Sequence, residues 1–267
     1  MAKMRLDVLM VERGLAESRS QAQRLVMAGQ VRVDGQVALK PATSVAAGAA
    51  IDIESGPRFV SRGGEKLEAA LQGFGIGVTG WVCADVGAST GGFTDCLLQA
   101  GAKKVYAIDV GEGILEWKLR QDPRVVVMEG TNARFIERLP EAVQLATIDA
   151  SFISLKVLLP VIRHWYGPEG GEAVALIKPQ FEAGRQLAAR NKGVIRDPSV
   201  HRQVVLDVLN FAQDNGYGLR GLVRSPLLGP KGNTEFLAYL GYPGENGADV
   251  EGYMRAAGLD SSMGAGA

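Results

Sequence analysis

Short helical patterns and short strand patterns alternate along the first 55 residues. Apolar side chains recur at helical spacing from residue 6 and again after residue 21, whereas polar and apolar residues alternate over 31–37, which is typical of a strand pair. Residues that end helices, cap them or form tight turns lie between these patterns: Gly14, Ser18, Gly29 and the pair Asp34-Gly35. A last short strand is expected at 51–53. The pattern predicts a small α+β unit over residues 1–55 and a linker over residues 56–63.

From residue 81 the pattern changes to nearly continuous apolar runs of strand length, separated by longer helical segments. The runs lie at 81–86, 105–108, 125–128, 145–148 and 173–177, and two further strands are expected at 219–223 and 235–240. Apolar strands that alternate with helices predict a parallel sheet covered on both faces. We therefore expect an α/β domain over residues 64–243. The tail over residues 244–267 is rich in Gly and Ala and is expected to be flexible.

Composition and charge exclude several classes of protein. The 267 residues suit one large or two unequal domains, and the net charge of +0 gives no overall argument for nucleic-acid binding. Two cysteines (Cys83, Cys96) and two histidines (His164, His201) are too few for a disulfide framework or a zinc site, so no metal is expected. We find no run of about 18 apolar residues and no signal-peptide pattern. A cytoplasmic protein without a membrane partner is expected.

A glycine-rich turn follows the first strand of the predicted sheet and reads Asp85-Val86-Gly87-Ala88-Ser89-Thr90-Gly91-Gly92-Phe93-Thr94. Its glycines let the backbone approach a ligand closely, although a purely structural turn is the alternative. Ser89 stands where the dinucleotide-binding pattern has its second glycine, which argues against a nicotinamide enzyme. Asp109 ends the next strand, where a carboxylate can accept hydrogen bonds from both ribose hydroxyls of an adenosine.

Together these features predict S-adenosylmethionine as the cofactor. Asn132 is a weaker candidate for the same pocket, because it can equally be a turn residue. The predicted cofactor-binding residues are Asp85, Gly87, Ser89, Thr90, Gly91, Gly92, Phe93, Asp109, Asn132 and Asp149.

Two charged residues end neighbouring strands of the predicted sheet. Asp149 follows the fourth strand and Lys178 follows the fifth, so both are expected at the mouth of the crevice. Ala150 and Ser151 stand where enzymes that methylate base amines often have Pro-Pro-aromatic, which argues against amine chemistry. A lysine beside a carboxylate can orient an alcohol nucleophile or help to remove its proton, although Lys178 alone could also be an ordinary surface lysine.

The order and spacing of these motifs resemble the TlyA family of RNA ribose 2′-O-methyltransferases, also called hemolysin A. The resemblance rests on the segments 5–7, 13–14, 18–22, 29–35, 59–67 and 225–236, together with the turn and the strand ends above. It implies an S4 RNA-binding domain followed by an FtsJ-like domain with a Rossmann-like class I methyltransferase sheet. It also implies a catalytic tetrad of Lys66, Asp149, Lys178 and Glu235, and a cytidine ribose of ribosomal RNA, free or in a subunit, as the acceptor. Which of the four residues acts as the base stays open.

Candidate RNA contacts come from two mildly basic stretches. Residues 1–40 carry seven Lys and Arg against four acids, and residues 185–202 carry five against one. The predicted RNA-binding residues are Arg5, Arg19, Arg24, Arg62 and Lys192. Either stretch could instead be an ordinary solvated face. A non-catalytic RNA-binding assembly factor is the main alternative function, and a membrane-lytic protein is a weaker one because the sequence has no strongly amphipathic helix.

Overall fold

The computed structural model describes residues 3–54, 56–184, 193–244 and 248–260, and the chain divides into two compact units, residues 1–58 and 59–267. The smaller unit contains helices α1 (Leu6–Glu12) and α2 (Arg19–Met27) and strands β1 (Lys3–Arg5), β2 (Val31–Val33), β3 (Gln36–Val37), β4 (Ser44–Ala46) and β5 (Ile51–Ile53). Strands β1 and β4 form an antiparallel pair, and a second antiparallel sheet has the order β3-β2-β5.

The predicted caps and turns of the smaller unit are confirmed. The Ser18 hydroxyl accepts a hydrogen bond from the Gln21 amide at 3.2 Å and so caps α2. The β2–β3 hairpin turns at Asp34 and Gly35, whose φ angles of 51° and 81° are those that an Asp-Gly hairpin turn requires. The pair of β1 with β4 was missed, because these strands have only three residues each and no clear alternation.

The larger unit is built on a seven-stranded sheet of order β11-β12-β10-β9-β6-β7-β8. Its strands are β6 (Val82–Val86), β7 (Lys104–Ile108), β8 (Val125–Met128), β9 (Leu145–Ile148), β10 (Gly171–Ile177), β11 (Gly218–Arg224) and β12 (Phe236–Tyr242). Its helices are α3 (Gly63–Phe74), α4 (Gly92–Gln99), α5 (Trp117–Arg120), α6 (Leu155–Ile162), α7 (Pro179–Glu182), α8 (Pro198–Asp214) and α9 (Val250–Ala256). Short 3₁₀ turns lie at Ala133–Phe135, Arg163–Trp165 and Pro230–Gly232.

Both faces of this sheet are covered by helices, as the apolar runs predict. Side chains alternate between the two faces along each strand: Cys83 packs with Leu67 of α3 and Leu97 of α4, whereas Ala84 packs on the opposite face, in the same cluster as Leu159 of α6 and Val205 of α8. The mixed α/β architecture with a mostly parallel sheet is therefore confirmed.

One strand departs from the expected parallel arrangement. Strand β12 runs antiparallel to both of its neighbours, β10 and β11. The segment from β11 to β12 holds no α-helix and is too short for the crossover of a dozen or more residues that a parallel return requires. Because the chain turns back directly, the beginning of β12 lies where β10 ends, and Phe236 pairs with Ile177.

The larger unit packs beyond the limits predicted for it at both ends. Phe59 is buried in the larger unit, and a Cβ at Gly64 would lie 2.2 Å from its ring, so the chain belongs to the larger unit from residue 59 instead of residue 64. In the expected flexible tail, α9 is capped by Asp249 and buries Met254 against the sheet's core. The apolar residues Met254, Ala257 and Leu259 provide the packing that the glycine-rich composition obscured.

Candidate active site

Three neighbouring strands bring the candidate residues to one edge of the sheet. In the parallel pairing, Val86 of β6 and Ala175 of β10 both lie beside Ile148 of β9, so the residues that follow these strands emerge together. A cavity of about 1020 Å³ opens at this edge. Its lining includes these predicted site residues: Arg62, Lys66, Gly87, Ser89, Thr90, Gly92, Phe93, Asp149, Lys178 and Glu235. The four residues of the predicted tetrad therefore line one cavity.

Lys66 and Glu235 form a buried ion pair although they lie 169 positions apart in the chain. Lys66 lies in the first turn of α3, and its Nζ donates to Oε2 of Glu235 at 2.6 Å. The two side chains are 9% and 0% exposed. The other carboxylate oxygen of Glu235, Oε1, is buried without a hydrogen-bond partner among the described residues, and a Cβ at Gly229 would lie 2.1 Å from it. This oxygen packs against the backbone of Gly229 and leaves the ion pair with Lys66 as the polar contact of the Glu235 carboxylate among the described residues.

Lys178 and Asp149 form the second ion pair, with 2.5 Å between Nζ and Oδ1. The same Nζ lies 3.1 Å from the Asp149 carbonyl, 3.2 Å from the Ala150 carbonyl and 3.1 Å from the Ser151 hydroxyl. Four acceptors surround a group that has three N–H donors as an ammonium. This environment orients Lys178 as a cation at the end of β10.

The close approaches that the glycines of the turn make are to other parts of the protein. Gly87 has a φ of 86°, and a Cβ there would lie 2.8 Å from the Asp149 carbonyl, so the turn packs directly on the end of β9. A Cβ at Gly92 would lie 2.9 Å from the Gly64 amide, which lets α4 approach α3. Gly91 does not line the cavity; a Cβ there would clash with Leu119 instead.

Asp85 lies inside the sheet and does not line the cavity, unlike the residues of the turn that follows it. Its carboxylate accepts hydrogen bonds from the Thr94 hydroxyl at 2.7 Å and from the Thr147 hydroxyl at 3.3 Å. Burial raises the pKa of Asp85 to about 7, and the nearby charge of Asp149 acts in the same direction. In the structure Asp85 joins β6, α4 and β9 beneath the turn.

Asp109 and Asn132 also lie outside the lining of the cavity. The Asp109 carboxylate accepts from the amides of Ser89 and Gly111, each at 2.8 Å, which holds it beside the glycine-rich turn. Each of its oxygens keeps a lone pair for another donor. The Asn132 side chain caps a 3₁₀ turn by accepting a hydrogen bond from the Arg134 amide at 3.2 Å. This is the turn role that the sequence offered as the alternative to a place in the cofactor pocket.

Comparison with known proteins assigns the family. Residues 59–242 match the FtsJ-like methyltransferase family, and residues 4–51 match the S4 domain. The 16S/23S rRNA (cytidine-2′-O)-methyltransferase TlyA of Mycobacterium tuberculosis is 47% identical over 240 residues, which cover 88% of this chain and 89% of the relative. The chain belongs to the TlyA family.

Other TlyA relatives match over similar lengths. Hemolysin A of Brachyspira hyodysenteriae is 41% identical over 246 residues, which cover 88% of this chain and 99% of the relative. A solved structure described as "Putative hemolysin from Streptococcus thermophilus" is 45% identical and has a TM-score of 0.68, with 92% of each chain covered. Within the described parts of the chain, no helix combines the length and apolar character needed to cross a membrane.

Several residues of this TlyA-family cavity were missed by the sequence analysis. Phe152 is 90% exposed, has a left-handed φ of 63°, and lies 4.9 Å from the ring of Phe181 between centroids. Gln180 and Lys231 line the cavity too. The only sequence signal for these residues was their closeness to Asp149, Lys178 and Glu235 along the chain.

The predicted RNA-binding arginines lie in different settings. In the S4 unit, Arg5 and Arg19 donate to the buried carboxylate of Asp7, and the hydrogen bond from Arg5 holds the pKa of Asp7 well below its usual range. Both arginines remain about half exposed. Arg24 is exposed on α2, and Arg62 is exposed at the cavity of the FtsJ-like unit. Lys192 lies outside the described residues.

Proposed function

We propose that this chain transfers the methyl group of S-adenosylmethionine to the ribose 2′-oxygen of a cytidine in ribosomal RNA. The observation that carries the proposal is the pair of lysine–carboxylate contacts, Lys66–Glu235 and Lys178–Asp149, on the wall of one cavity at the carboxyl end of the sheet. In open α/β sheets, ligands bind in the crevice outside these strand ends. The FtsJ-like match over residues 59–242 supports methyl transfer as the chemistry.

The residues at the glycine-rich turn fit the cofactor. S-adenosylmethionine supplies a methyl group on a positively charged sulfur. Gly87 and Gly92 let the turn pack closely on β9 and α3 at the wall of the cavity, and the free lone pairs of Asp109 suit ribose hydroxyls. A volume of about 1020 Å³ exceeds that of most sites for one drug-sized ligand, so it suits a cofactor together with part of a nucleotide.

Lys178 and Asp149 suit an alcohol nucleophile. The Lys178 ammonium is surrounded by more acceptors than it has N–H donors, so one N–H can turn from a carbonyl to the 2′-oxygen of the ribose. This hydrogen bond orients the remaining lone pair of the 2′-oxygen. Asp149 is the more exposed partner at 22%, and its carboxylate can accept the hydroxyl proton as the methyl group arrives. Most of the rate enhancement then comes from alignment of the two reacting atoms.

An RNA acceptor is supported by the N-terminal unit and by a relative. Residues 4–51 match the S4 domain, and the M. tuberculosis relative is named for cytidine 2′-O-methylation of 16S and 23S rRNA. The exposed ring of Phe152 at the cavity is a surface on which an unstacked RNA base can stack.

The proposal is tested by mass-spectrometric mapping of ribose methylation in ribosomal RNA from cells with and without the gene. A cytidine that loses its 2′-O-methyl group on deletion and regains it on complementation is the expected result. Complementation with Lys178→Met should fail, with at least a 100-fold loss of transfer in vitro, while calorimetry finds unchanged cofactor affinity. Lys103→Met is the matched control, because Lys103 is exposed at the opposite edge of the sheet. An unchanged methylation map, or leakage of liposomes in place of methyl transfer, would overturn the proposal.

A further inference from the structure

A buried amide oxygen of the cavity lacks a hydrogen-bond partner. Gln180 lies in α7, two positions after Lys178, and lines the cavity, yet its Oε1 is buried and unpaired among the described residues. Leaving a buried acceptor unsatisfied costs free energy, so such atoms are uncommon in native proteins and need an explanation. A donor on a bound ligand would remove this cost.

The position of Gln180 in the sheet separates it from the cofactor's adenosine. Asp109, the candidate ribose acceptor, ends β7, whereas Gln180 follows β10, and β6 and β9 lie between these strands. Three strand spacings amount to about 14 Å. Gln180 instead neighbours Lys178 and an aromatic pair, the exposed Phe152 and the half-buried Phe181, on the side where the nucleotide acceptor would lie. The adenosine therefore does not supply the donor that reaches this Oε1. The donors that remain are the cofactor's ammonium and the RNA, which the cofactor-affinity measurement below separates.

Cytosine and uracil differ in the exocyclic group that could contact such an acceptor oxygen. Cytosine carries an exocyclic amine, which donates, at the position where uracil carries a carbonyl, which accepts. We propose that Oε1 of Gln180 accepts a hydrogen bond from the exocyclic amine of the target cytosine and thereby selects cytidine over uridine. This inference rests on the proposed function. The base of a nucleotide whose 2′-oxygen meets Lys178 is tethered within reach of Gln180, only two positions further along the chain.

The test compares two forms of the mapped RNA, one with the target cytidine and one with uridine at that position. Gln180→Met keeps the side-chain length and removes both the acceptor and the donor. It should lower kcat/KM on the cytidine RNA about tenfold and leave kcat/KM on the uridine RNA and the Kd for S-adenosylmethionine unchanged. Gln180→Glu keeps an acceptor and loses the donor, so it should retain the cytidine activity. Gln203→Met, on the exposed face of α8, is the matched control.

The possible outcomes separate this inference from the proposed function. Equal losses on both RNAs, an undiminished rate of Gln180→Met on the cytidine RNA, or a weakened cofactor affinity would each overturn the role of Gln180. A wild-type enzyme that methylates both RNAs equally would also overturn it, while leaving the methyltransferase assignment intact. A wild-type chain that methylates neither RNA would instead refute the proposed function.

Discussion

The buried pair of Lys66 and Glu235 allows stability and catalysis to be separated by substitution. Lys66→Met removes the cation and leaves the Glu235 carboxylate in a site where its Oε1 already lacks a partner. Removing one partner of a buried ion pair costs about 3–5 kcal/mol. For a unit of this size, that corresponds to a fall of roughly 6–20 °C in the melting temperature.

The double variant Lys66→Met/Glu235→Met should recover most of this loss. Replacing both members of a buried pair by apolar side chains of similar size is often neutral or stabilising, so its free energy of unfolding should lie within about 1 kcal/mol of wild type. Methyl transfer should not recover with it. Both variants are expected to be at least about 100-fold slower, because both lack members of the catalytic tetrad that the family resemblance implies.

Urea unfolding followed by tryptophan fluorescence measures the effect in the correct unit. All three tryptophans, Trp81, Trp117 and Trp165, lie in the larger unit. Lys104→Met is the control, because its ion pair with Glu141 is about one-third exposed and should contribute no more than about 1 kcal/mol. The reasoning fails if Lys66→Met unfolds within 1 kcal/mol of wild type, or if the double variant is as unstable as the single one.

Two further predictions concern carboxylates beneath and beside the glycine-rich turn. Burial raises the pKa of Asp85 from 3.8 to about 7, so between these values the folded chain holds a proton that the unfolded chain has released. The free energy of unfolding should therefore fall by up to about 4 kcal/mol from pH 4 to pH 7. Urea titrations across this range should show a weaker dependence on pH for Asp85→Asn than for wild type. An equal dependence on pH in the two proteins would contradict the prediction. The Glu129 carboxylate accepts hydrogen bonds from the amides of Leu115, Gly113 and Ile114 and forms an ion pair with Arg120. These contacts hold the pKa of Glu129 at about 2, and they fix the loop after Asp109. Glu129→Gln should raise the calorimetric Kd for S-adenosylmethionine about tenfold at unchanged kcat, and an unchanged Kd would count against it.

Strand positions and one part of the site could be predicted from the sequence because their signals are local. A run such as 145–148 is buried on both faces, so it is apolar throughout and easily recognised. The residue after such a run lies at the carboxyl edge of the sheet, and this rule located Asp149 and Lys178 correctly at one cavity. The same rule failed for Asp85, which lies one strand position too early and is buried beneath the turn.

Non-local features had no comparable signal. The partner of Lys66 lies 169 positions away, and the exposure of Phe152 depends on the left-handed backbone at that residue. The lack of a hydrogen-bond partner for Oε1 of Gln180 can be recognised only from the positions of the side chains around it. For Glu235, resemblance to a family supplied what spacing and periodicity did not.

The reversed strand β12 explains why the strand-end rule could not find Glu235. In a wholly parallel sheet, a residue that precedes a strand lies at the edge opposite the ligand crevice. Because β12 runs antiparallel to β10, Phe236 pairs with Ile177, and the residues just outside this pair, Glu235 and Lys178, arrive at the same edge from opposite chain directions. Glu235 can therefore meet Lys66 in the cavity only with β12 reversed. The topology that departs from the predicted sheet is the one that completes the candidate site.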